Sequence, residues 1–122
     1  MQSSNPFGPV ISSYSRAEAI ADGVLVNLSE FQVIRTYWTH NFACTAAVWA
    51  AIEEATKSGS DLDGILHDIS WMAKTTISHG HRGENTINFR VVIGNRTLDL
   101  KLHCGPGDDA EPVLTLMLPH ED

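Results

Sequence analysis

The chain has 122 residues, 43% hydrophobic and 19% charged, which fits one folded domain and excludes a disordered chain. Eight basic against fifteen acidic residues leave a net charge of −7, which argues against direct binding to nucleic acid or anionic membrane, where Lys and Arg must meet phosphates. No apolar run approaches the ~18 residues of a membrane span, and no basic-then-apolar leader opens the sequence, so a cytoplasmic protein is expected.

The first stretch, "MQSSNPFGPVI", carries Pro6, Gly8 and Pro9 among Phe7, Val10 and Ile11. The prolines forbid a helix interior, so an extended arm over about residues 1–14 is expected, docked by its apolar side chains. In "SRAEAIADG", Ser15 and Glu18 have the spacing of a capping box, and Gly23 is the natural stop of a short helix. Val24 to Leu28 is short and β-branched, a strand or an extended connector. "SEFQVIRTYW" reads as a helical turn or more with Ser29 as its cap. "HNFACTAAVWAAIEEATKSG" reads as one helix: Phe42, Ala46, Val48, Trp49 and Ile52 recur near helical spacing, and Lys57 and Gly59 mark its end.

A second helix follows in "SDLDGILHDISWMAKTTIS", capped by Asp61, with Leu62, Ile65, Leu66, Ile69, Met72, Ala73 and Ile77 on one face. After "HGHRGEN" the period changes to two. Ile87, Phe89, Val91 and Ile93 alternate in one strand, and Leu98, Leu100, Leu102 and Cys104 in the next. Gly94-Asn95 supplies the hairpin turn between them. Pro112 to Leu118 makes a third strand. Helices first and strands last predict an α+β fold over residues 1–122. The N-terminal helices would pack on one face of a three-stranded antiparallel sheet, with Val24–Leu28 a candidate fourth strand.

The loop "GPGDDAEP" between the last two strands is explained first as a turn, because glycine, proline and aspartate all supply turn geometry. Its spacing does not fit a Ca²⁺ loop, and it has neither the lysine nor the following helix of a phosphate cradle. Its acids can form an exposed contact surface, with Asp108, Asp109 and Glu111 in the loop and Glu121 and Asp122 in the tail. Six histidines raise a metal hypothesis, for which His79, His81 and His103 are the candidate ligands. A zinc site needs three or four convergent ligands and no HExxH is present, so no metal and no other cofactor is expected. Cys44 and Cys104 form no CxxC pair and are read as reduced thiols. A Cys–His nucleophile pair remains open on paper, but Cys104 shares the face of the core leucines. Of the three tryptophans, Trp49 fits the core face of its helix. Trp71 is off the apolar line, and Trp38 lies in a poorly patterned segment; these two are the candidate aromatic contacts.

Three stretches together carry a resemblance: "NPFGPVISSYSRAEAIADGVLVNLSE", "GILHDISWMAK" and "LDLKLHCGPGDDAEPVLTLMLPHED". They resemble a family of small uncharacterised proteins of plasmids, integrated elements and phages, classed as a domain of unknown function. The family has no assigned catalytic residues, so the resemblance implies a mobile-element context and no reaction. The resulting expectation is a small, acidic, non-enzymatic binding protein. Its partner would be a protein with a basic surface, such as the nucleic-acid channel of a host defence complex, which an anti-CRISPR-like inhibitor can occupy. The alternatives are a small metal-binding or hydrolytic enzyme using the histidines and acids, and a homodimer whose interface is the exposed face of the sheet.

Overall fold

Ser15 caps the first described helix as its sequence predicts. Its hydroxyl accepts the Glu18 N–H while the Glu18 carboxylate takes the Ser15 N–H, which opens helix α1, Arg16–Ala21. The computed structural model describes residues 14–80 and 83–121. The expected arm up to residue 13, together with His81 and Asp122, lies outside these described residues.

Strand β1, Leu25–Asn27, follows, then a 3₁₀ turn at Leu28–Glu30 and helix α2 at Gln32–Tyr37. Asn27, not Ser29, caps the 3₁₀ turn; the Ser29 hydroxyl instead accepts the Phe42 N–H at 2.8 Å. Strand β2 is Asn41–Thr45 and helix α3 is Ala46–Lys57. The single helix expected from His40 is therefore a strand and a helix. Thr45 is the joint: its backbone ends β2, and its hydroxyl accepts the Val48 N–H at 3.3 Å as the cap of α3. Phe42, Ala43 and Cys44 are all buried, as in a central strand covered on both faces, and such a strand shows no period of two. Helix α4, Leu62–Ser78, is capped by the Asp61 carboxylate on the Gly64 N–H.

Strands β3 (Thr86–Ile93) and β4 (Arg96–Pro106) form the predicted hairpin around Gly94-Asn95, with Ile93 opposite Arg96. Gly94 takes the positive φ of 65° that this turn requires. Strand β5, Pro112–Met117, completes a five-stranded sheet in the order β1-β2-β5-β4-β3. β2 and β5 run parallel and every other pair antiparallel, so the sheet is mixed rather than antiparallel.

The register puts Val26, Phe42, Cys44, Leu114, Leu116, Leu102, Leu100, Ile87 and Phe89 on one face. Val48 and Ile52 of α3 and Ile65, Leu66, Ile69 and Ala73 of α4 close the same core over that face. Full burial of side chains such as Leu66, Ile69, Leu100 and Leu116 contributes roughly 1.5–3 kcal/mol each. The helices are not all on one side. The Arg16 guanidinium of α1 reaches Thr115 Oγ1 and the Leu114 carbonyl, each at 2.7 Å, from the opposite face of the sheet. A short amphipathic helix with a single fully useful apolar side can cap either face, and the alternation of Ala19 and Ile20 does not say which.

Candidate partner-contact surface

Helix α4 turns its apolar stripe to the sheet, which leaves Asp63, His67, Asp68, Trp71 and Lys74 on its outer side. Trp71 is 58% exposed although it is the largest apolar side chain on the helix. One turn earlier, His67 stacks on it with ring centroids 6.4 Å apart and planes 19° from parallel. Tyr37, at the end of α2, brings its Oη to 2.6 Å from His67 Nδ1, with the proton's position set by the imidazole tautomer. Tyr37, His67 and Trp71 thus form a continuous aromatic strip across two helices. Each of the three rings touches another ring of the strip, so little rotamer freedom is left to lose on binding. Asp68 is exposed three residues before Trp71, on the adjoining ridge of the helix, and sets a carboxylate beside the strip.

Trp38 is not part of this surface. It is 7% exposed, its Nε1 donates to Ser70 Oγ at 3.0 Å, and its ring packs on Phe42 at 5.2 Å. The expected contact role fails because α2 folds onto α4 and turns Trp38 inward, where buried Ser70 is its acceptor. Lys74 Nζ sits 4.4 Å over the same ring, so this cation is committed to Trp38. Trp49 is half-buried against Phe31, with centroids 6.2 Å apart.

The acidic loop and tail are used largely within the chain. The Asp108 carboxylate accepts the N–H groups of Arg16 at 2.7 Å and Ala17 at 3.0 Å. These are the first two helical residues, whose amides have no acceptor within α1. Those two bonds hold the Asp108 carboxyl below the ordinary aspartate range. Burial pulls the Arg16 pKa down while Asp108 and Glu111 push it back up, and the guanidinium stays charged. The Glu111 carboxylate folds back to take the Asp109 N–H at 2.9 Å. A Cβ at Gly107 would lie 2.6 Å from that carboxylate, so a side chain there displaces Glu111. Glu121 Oε1 accepts from Thr45 Oγ1 and from the Leu118 N–H, both at 2.8 Å, and its carbonyl accepts from Lys101 Nζ. Asp108 and Asp109 are both exposed, and Asp109 is the one whose carboxylate takes no hydrogen bond among the described residues.

The described histidines do not converge. His79 Nδ1 donates to the Thr75 carbonyl at 2.7 Å, and His103 Nδ1 lies 2.9 Å from Thr86 Oγ1 on the neighbouring strand. Among the described residues, no group of three or more His, Cys, Asp or Glu is placed to hold a metal ion. Both described thiols are free; burial, with Glu121 nearby, pushes Cys44 up to about 12. A thiol so placed is protonated at neutral pH and cannot serve as a nucleophile. On the far face, a shallow apolar groove of about 750 Å³ runs between Tyr14, Val24, Leu25, Ala46 and Met117. Among the described residues, no helix is long and apolar enough to cross a membrane.

Sequence patterning marked Trp71 and missed its companions. The signal for His67 was its position four residues before Trp71. Tyr37 carried none, because its place depends on how α2 docks. No protein-family model, curated protein or solved structure matches the chain.

Proposed function

We propose that this protein acts by protein–protein contact, through the Tyr37–His67–Trp71 strip, on a partner with a basic surface. The observation that carries this reading is Trp71, 58% exposed and held against His67 by stacking. Exposed tryptophans on a rigid element are the residue type that dominates interface energetics. The carboxylate of Asp68 beside the strip and the net charge of −7 favour a basic partner, and an arginine is the group that satisfies ring and carboxylate together. The acidic loop, by contrast, is a structural cap, and Asp109 supports long-range steering rather than the contact itself.

The resemblance of both ends of the chain to mobile-element proteins supports a setting in which such a protein blocks a host machine. A defence complex with a basic nucleic-acid channel is the partner class we favour. The test is affinity capture from host lysate with the wild type and with Trp71→Ala at matched salt. A partner retained by the wild type and lost by the variant supports the reading. The same partner retained equally by both contradicts it.

A further inference from the structure

Strand β3 ends the sheet on one side, and among the described residues its outer edge has no backbone pairing. Bare edges of this kind pair with other strands unless they are short, kinked, interrupted by proline or guarded by an inward-pointing charge. β3 has none of these protections, and the one charged side chain it carries, Arg90, is neutralised by Asp99 on β4. The strand runs eight residues in unbroken register with β4, contains no proline, and its inward residues are Ile87, Phe89, Val91 and Ile93. The other edge strand, β1, has only three residues.

The hairpin fixes which groups point outward. Ile93 and Arg96 close a two-residue turn and so exchange both hydrogen bonds, which makes Val91, Phe89 and Ile87 bond to β4 as well. The free N–H and C=O groups therefore belong to Val92, Arg90, Asn88 and Thr86. Val92 is 57% exposed on the outer face of the strand, opposite Thr97.

We infer that β3 pairs antiparallel with β3 of a second copy of this chain, about a two-fold axis through Phe89, into one continuous ten-stranded sheet. The register follows from self-complementarity. Centring on Phe89 sets Arg90 opposite Asn88 of the second copy and Val92 opposite Thr86. All four outward-bonding residues then become hydrogen-bonded pairs. Phe89 meets its own copy at the close, non-bonded position that favours aromatic pairs. Shifting the centre by one residue to Arg90 would oppose two arginines, which disfavours that register. Arg90 keeps its 2.8 Å ion pair with Asp99 on β4 in this arrangement.

Sedimentation equilibrium of the full chain tests the pairing. The wild type is expected at twice the 13.3 kDa chain mass, dissociating on dilution. Asn88→Pro removes a donor only from the outer edge, twice by symmetry, and should raise the dimer Kd about tenfold or more. Circular dichroism checks that the variant remains folded. Val92→Lys should also weaken the dimer. Adding Thr86→Glu to it should restore association, because these two positions meet only between copies. A wild type that stays monomeric at high concentration overturns the inference, as does a folded Asn88→Pro variant with unchanged Kd. Failure of the double variant to recover overturns the register.

Discussion

Asp108 caps the first turn of α1 from 92 residues away, accepting the Arg16 N–H at 2.7 Å while Arg16 itself reaches back to Thr115 and the Leu114 carbonyl. Helix α1 is therefore fastened twice, to the β4–β5 loop through Asp108 and to β5 through the Arg16 guanidinium. An acidic run at the surface is in this case the cap of a helix that has only six residues to satisfy its own amides.

That fastening makes stability depend on pH. The Asp108 carboxyl is depressed by the two N–H bonds, so its contribution is fully present above the unfolded value of about 3.9 and is lost as pH falls through the lower folded value. Thermal melts from about pH 6 down to about pH 3 should show a wild-type advantage over Asp108→Asn that shrinks on the acid side. An advantage that stays constant across that range would contradict the assignment.

Trp38 and Ser70 form a buried pair whose value lies in being complete. Ser70→Ala leaves the Trp38 Nε1–H without an acceptor and should cost about 1–3 kcal/mol. Trp38→Phe removes the donor. If the pair is as described, the double variant will cost less than the sum of the singles in urea melts. Strict additivity would show that the two side chains do not interact.

Cys44 should be silent in the native protein. Its thiol is buried and pushed up to about 12, so alkylation at neutral pH should wait for unfolding. The check is mass spectrometry of peptides labelled before and after denaturant. Rapid native labelling of Cys44 would mean that the core between β2 and β5 opens freely.

Local chemistry was legible where one element decides its own structure. The Ser15–Glu18 box, the Asp61 cap, the Gly94-Asn95 turn and the alternation of β3 and β4 all stand at the residues that signal them. The strand at Asn41–Thr45 was hidden because an alanine-rich helix follows it without a break and its three core residues are covered on both faces. Its parallel pairing with β5 joins segments some seventy residues apart and leaves no local trace. The exposure of Trp71 followed from helical phase, whereas the burial of Trp38 followed from the docking of α2, which no periodicity reports. The capping role of Asp108 was not legible because a carboxylate bonded to backbone N–H groups of a distant helix cannot be told in sequence from a solvated one.

The most direct measurement of the contact surface is a side-by-side capture with three proteins: wild type, Trp71→Ala and Asp109→Lys. Trp71→Ala removes an exposed ring and should leave the melting temperature nearly unchanged. Loss of the wild-type partner on Trp71→Ala, with Asp109→Lys retaining it at moderate salt, is the predicted result. Retention on Trp71→Ala together with loss on Asp109→Lys would place the contact on the acidic loop and contradict the account.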